Sequence, residues 1–166
     1  MRAPFALLGA ALLCACPPAQ GEKPATPPPT SDQPVAQPVQ KDITAQDYQA
    51  PPLPKARLTL TDAYGGPHVV DVEVAATRDS RTRGLMWRKQ LAEGQGMIFI
   101  FAQSAVQGFW MRNTLIPLDL LFIEEGGEVA GIVSQAEPQT LTSRTVGKPS
   151  KYVLEVPGGW CQKIGV

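Results

Sequence analysis

The side chains best suited to chemistry lie between positions 83 and 155: Arg83, Trp110, Arg112, Asn113, Asp119 and Glu155. In Phe109-Trp110-Met111-Arg112, an extended backbone puts Phe109 and Met111 on one face and Trp110 and Arg112 on the other. An indole beside a guanidinium is typical of a recognition surface. In the stretch 118–123, Asp119 interrupts the face of Leu121 and Ile123; Glu155 shares a face with Val153, opposite Tyr152, Leu154 and Val156. An acid on an apolar face needs a partner, because an unpaired buried charge is costly. Arg83 and Arg112 are the available partners. Arg83, Arg112, Asn113, Asp119 and Glu155 are therefore expected to converge on one polar patch beside Trp110, as a ligand site or as a stabilising network.

Two readings of that patch compete. One is a non-catalytic module binding a small molecule, an envelope polymer or a protein. The alternative is an enzyme acting on a small or glycan substrate, with Asp119 and Glu155 as acid and base. No nucleophile–base signature accompanies the acids, so no catalytic residue is assigned. Ser80, Ser104 and Ser143 lack a glycine elbow. His68, the single histidine, follows Pro67 at a strand start and reads as a surface or turn residue. With one histidine, no cysteine pair and no glycine-rich phosphate loop, neither metal nor cofactor is expected. Residues 78–89 hold five basic groups, Arg78, Arg81, Arg83, Arg88 and Lys89, which read as a solvated helix face or a patch for anionic lipid or glycan. Fifteen basic residues balance fifteen acidic ones, so no global field draws the chain to nucleic acid.

The elements that must position these groups lie in 55–166. Alternation and β-branched content predict strands at 57–62, 69–74, 97–101, 106–112, 118–123, 128–134 and 152–156. Turns at 63–67 and 125–127 make hairpins of the first pair and of 118–123 with 128–134. One helix is predicted from Thr77, its cap, to about Arg88, with Leu85 and Met86 inward. The expectation is a mainly β single domain: a β-sandwich or partly open barrel of about seven short strands with one short helix.

Three phrases carry a family resemblance. They are Arg83 to Arg88 (RGLMWR) with Gly96 to Phe101 (GMIFIF), Phe109 to Asp119 (FWMRNTLIPLD), and Tyr152 to Trp160 (YVLEVPGGW). In this order and spacing they resemble the DUF192 family, also called UPF0127, over about residues 68–165. The resemblance implies a mainly β domain that often follows a signal peptide, and it brings no biochemical activity with it. Members usually run on past the glycine near Gly165 into a further strand, whereas this chain stops at Val166, which leaves the sheet edge as the open point.

The chain before the domain reads as an address and a spacer. Residues 1–16 have Arg2 and then an apolar run from Phe5 to Cys16, the length of a signal-peptide core and shorter than a membrane span of about 20 residues. Leu13-Cys14-Ala15-Cys16 resembles the lipobox of bacterial lipoproteins, which implies lipidation of Cys16 and a membrane as partner through the N-terminal anchor. Pro17 rather than aspartate follows, which by analogy favours the periplasm-facing outer membrane of a Gram-negative cell envelope. Residues 17–54 contain 11 of the 17 prolines and a single aromatic, Tyr48, and read as a disordered tether. If Cys14 leaves and Cys16 is lipidated, Cys161 stands alone and reads as a small buried apolar residue.

Overall fold

The structure, a computed structural model, describes residues 41–166. The expected signal peptide at 1–16, Cys16 and residues 17–40 of the expected tether lie outside the described residues. The domain is mainly β, as its alternation predicts. Its strands are β1 (Lys55–Thr61), β2 (Pro67–Ala75), β3 (Gln95–Val106), β4 (Leu118–Ile123), β5 (Val129–Ala136) and β6 (Pro149–Pro157). They form one open sheet in the order β1-β2-β3-β6-β4-β5, antiparallel except for the β2–β3 pair. Two short helices, α1 (Arg78–Arg83) and α2 (Trp160–Ile164), complete it.

Local chemistry explains the main elements. Asp62 closes the β1–β2 hairpin, its Oδ1 accepting the amides of Tyr64 and Gly66 at 2.8 Å. The second predicted hairpin, β4–β5, turns through Glu124–Glu128, where Gly127 takes a φ of 100°. Because β2 and β3 run parallel, the chain must cross over between them, and α1 sits in that crossover. Thr77 caps α1 in a capping box with Ser80. The helix stops at Gly84, earlier than the predicted Arg88. Gly84 has φ 46°, and a Cβ there would come within 3.2 Å of the Phe99 ring. Leu85 and Met86 still turn inward and are buried, but from the turn after the helix.

The predicted strand at 106–112 is a correction. Val106 ends β3, and only Phe109 bridges to Arg144 before the chain turns away. Gln107-Gly108 bring little β propensity, and Asn113 adopts φ 57°, which ends any ladder. The predicted alternation nevertheless survives in this loop: Phe109 and Met111 point inward while Trp110 and Arg112 are exposed.

Apolar clusters cover both faces of the sheet. Leu118, Leu120, Phe122, Val153, Met97 and Phe99 pack with Leu85 and Met111 on one side. Leu121, Ile123, Leu154, Val156, Val70 and Val72 pack with Trp160 and Cys161 on the other. β4 is buried at all six positions, as expected of a strand covered on both faces.

Residues 41–54, assigned from composition to the tether, pack on the domain. Leu53 joins the first cluster, and the Pro54 carbonyl accepts the amide of Val74 at 2.8 Å. The carbonyls of Ile43, Thr44 and Ala45 accept side-chain donors from Arg83, Trp87 and Asn113. This strap extends the folded unit upstream of residue 55.

Candidate functional site

A cleft of about 360 Å³ opens between α1, the turn after it and the 107–114 loop. It brings together four of the six predicted site residues: Arg83, Trp110, Arg112 and Glu155. β6 delivers Glu155 to the floor, opposite Met97 of β3 and Leu120 of β4 in the ladders. The loop delivers Trp110, 49% exposed, and Arg112, also exposed. α1 delivers Arg83 with two further arginines, Arg78 and Arg81.

Glu155 is the unusual group. It is only 4% exposed, and its Oε2 has no hydrogen-bond partner among the described residues. Burial alone pushes its carboxyl up to about 8. The expected ion pairs of Arg83 or Arg112 with the two acids are absent among the described residues. Arg83 instead donates to the carbonyls of Ile43 and Ala45 and lies over the Tyr48 ring at 5.6 Å. Its burial lowers its affinity for the proton, against the opposing pull of Tyr48 and Asp42.

The walls are aromatic. Phe109 stands edge-on to Phe99 at 5.0 Å and to Phe101 at 6.2 Å. Arg81 lies over Phe101 at 5.1 Å and donates to the Ile100 carbonyl at 2.9 Å. Arg81 and Arg83 are thus held by backbone carbonyls. Arg78 and Arg112 make no side-chain hydrogen bond or ion pair among the described residues. Asp42, which does not line the cleft, is held below the usual carboxylate range, first by its hydrogen bonds from Thr44 and then by the charges of Arg112 and Arg83.

Asp119 and Asn113 do not join this lining. Asp119 projects to the opposite face of the sheet from Glu155, because it shares parity with Leu121 and Ile123 while Glu155 shares it with Val153. Its carboxylate accepts three backbone amides: Gln135 at 2.7 Å, Gly159 at 2.9 Å and Cys161 at 2.9 Å. The acid needed a partner, as its apolar neighbours imply, but the partners are amides and not arginine. Asp119 and Glu155 therefore cannot act on one substrate as acid and base, since the sheet lies between them. Asn113 serves the strap: its Nδ2 donates to the Thr44 carbonyl at 3.2 Å, next to the Trp87 Nε1 bond to the same oxygen at 2.9 Å.

Sequence reasoning missed the aromatic walls and the strap. Tyr48, the lone aromatic among the prolines, was the available signal for the latter. His68 pairs with Asp62 at 2.8 Å beside Trp160 and does not line the cleft. Cys161 is buried, and burial first, then Asp119, pushes its thiol up to about 12. Among the described residues no group of three or more histidines, cysteines or acids is placed to hold a metal, and no helix is long and apolar enough to cross a membrane. The lining offers charge, aromatic surface and one carboxyl, a set suited to holding a ligand.

Comparison with known proteins places the domain. No curated protein matches the chain. A crystal structure of a protein from Novosphingobium aromaticivorans DSM 12444, described as of unknown function, is 32% identical with a TM-score of 0.66, the match covering 78% of this chain and 94% of that one. Another, from Sinorhizobium meliloti 1021 and described as a proposed transcription regulator, is 36% identical with a TM-score of 0.69, covering 71% of this chain and 92% of that one. The model of the DUF192 family, "Uncharacterized ACR", matches residues 59–166, the segment that contains the cleft lining and all of the sheet except the start of β1. The chain belongs to the DUF192 family.

Proposed function

We propose that this protein is a lipid-anchored envelope module that binds a small anionic ligand in the cleft between α1 and the 107–114 loop. One observation carries the reading. A carboxyl with an oxygen unpartnered among the described residues is buried at the floor of a cleft whose mouth holds Arg78 and Arg112, neither of them in a side-chain hydrogen bond or ion pair among those residues. A sealed structural network would have paired these groups with each other, because unmatched buried polar atoms are costly. The cleft volume falls in the ordinary range of small-molecule sites, about 300–1,000 Å³. The lipobox at Leu13–Cys16 and the proline-rich stretch after it support anchoring at Cys16, with the domain held off the membrane by residues 17–40.

A thermal-shift screen of small carboxylates, phosphates and sulfates against the protein tests the binding reading. A ligand that raises the melting temperature of the native protein is expected to lose most of that shift in Arg112→Ala, with affinity down about tenfold or more. Equal shifts in both proteins would remove Arg112 from the site. Radiolabelled palmitate in a bacterial host tests the anchor: label is expected on the native chain and absent from Cys16→Ala.

A further inference from the structure

The two ends of the cleft differ in a way that defines the ligand more closely. Its mouth is cationic, at Arg78 and Arg112, and its floor is a lone carboxyl among apolar groups, with Phe99 and Met86 in the lining. The lining also includes Phe99, Phe101 and Phe109, with the exposed Trp110 indole at the rim. We infer that the cleft takes a small hydroxylated ring bearing an anionic group, an acidic or phosphorylated sugar, with the anion at Arg78 and Arg112, a ring hydroxyl on Glu155, and the ring's C–H face against the aromatic side chains. This rests on the small-anion reading above and narrows it.

The floor decides the chemistry. A ligand ammonium would require an ionised Glu155 and would bury an ion pair among apolar side chains, an arrangement whose desolvation cost offsets its attraction. A neutral carboxyl both donates and accepts, as does a hydroxyl, so the two match without burying charge. Burial holds Glu155 protonated at neutral pH, since its carboxyl is pushed up to about 8. Other groups around it leave this proton undisturbed. β3 carries no titratable side chain, and Asp119 of β4 faces the other side. Lys151, farther along β6, pairs with Glu125; Glu73 of β2 pairs with Arg88. The α1 and loop residues that reach the lining with charge are arginines, which do not titrate in this range. Asp79 of α1 lines the adjoining hollow under the strap and not the cleft, and Asp42, also outside the lining, is already ionised at neutral pH.

Calorimetric titration of the full chain tests this with glucuronate, glucose 6-phosphate, cyclohexanecarboxylate and inorganic phosphate as probes. At pH 6.5 one of the two sugars is expected to bind at least about tenfold more tightly than its counterpart without hydroxyls, each good hydrogen bond to a buried polar group giving about this factor. Tighter glucuronate identifies a carboxylate as the anion, and tighter glucose 6-phosphate a phosphate; either supports the inference. The charge of glucuronate is constant above pH 5, so its affinity is expected to fall about tenfold per unit above about 8 as Glu155 ionises. Glu155→Gln, which keeps the shape and cannot ionise, is expected to be flat from pH 6 to 9. Trp110→Ala, a change at an exposed position, is expected to weaken the sugar and spare inorganic phosphate. Should the glutamine variant fail to fold, the native pH profile and Trp110→Ala still decide. Equal binding of probes with and without hydroxyls, or a flat native profile, overturns the sugar inference and leaves the anion cleft standing. Absence of any binding that depends on Arg112 overturns both.

Discussion

At the residue scale, Glu155 and Asp119 show how two buried acids on neighbouring strands acquire opposite roles. Glu155 Oε2 meets no donor among the described residues, and burial makes the folded state favour the neutral form of the carboxyl. The sign of its effect on stability follows. The unfolded chain releases this proton near 4.5 and the folded chain near 8, so stability falls as pH rises through that window and is level above it. Glu155→Gln lacks this penalty. It is expected to match the native protein at pH 4.5 and to exceed it by roughly 2–5 kcal/mol at pH 8.5, measured by urea unfolding. A gap that does not grow with pH would place the cause elsewhere. Asp119 binds the amides of Gln135, Gly159 and Cys161, joining β4 to the end of β5 and the start of α2. Asp119→Ala leaves these donors without their acceptor and is expected to cost about 3–5 kcal/mol in the same measurement, each orphaned group contributing about 1–3.

At the element scale, the cleft depends on segments that are not strands. α1 is six residues long, too short to hold itself together, and relies on its capping box and on Arg81, whose guanidinium reaches the carbonyls of Ala76 and Ile100. The strap at 41–54 holds Arg83 and Asn113 from outside. Trp87→Phe deletes the indole donor to Thr44 and little else. It is expected to raise amide exchange across 42–48 several-fold while lowering the global unfolding midpoint by no more than about 5 degrees, since one hydrogen bond contributes about 1 kcal/mol. Unchanged exchange in the strap would show that Asn113 and Arg83 suffice to hold it.

At the scale of the whole molecule, the sheet order explains why the thiol is quiet. β6, last of the strands, lies between β3 and β4, and the chain leaves it to place α2 over the second apolar face. Cys161 is buried there and its thiol is pushed up to about 12. In a Cys14→Ala, Cys16→Ala background, Cys161 is expected to resist Ellman's reagent at pH 8 in buffer and to react fully in denaturant. Its rate in intermediate urea is expected to follow global unfolding. Fast reaction in buffer would mean that α2 opens by itself.

The sequence alone carries the strands and the hairpins, because side-chain alternation and turn glycines are local signals, and it carries the faces of Asp119 and Glu155, because parity along a strand is fixed by the pleat. It also carries the inward and outward pattern of Phe109 to Arg112, although the strand inferred from that pattern is a loop. What it does not carry is which face of one strand looks toward which face of the next. Asp119 and Glu155 are each correctly seen as acids on apolar faces, yet their faces are opposite sides of one sheet, a fact set only when β6 inserts between β3 and β4. Nor does composition show that residues 41–54 dock, since the donors that hold them, Arg83, Trp87 and Asn113, come from distant positions. Tertiary structure decides these points because partnership between polar groups depends on distances through space, which the order of residues along the chain does not contain.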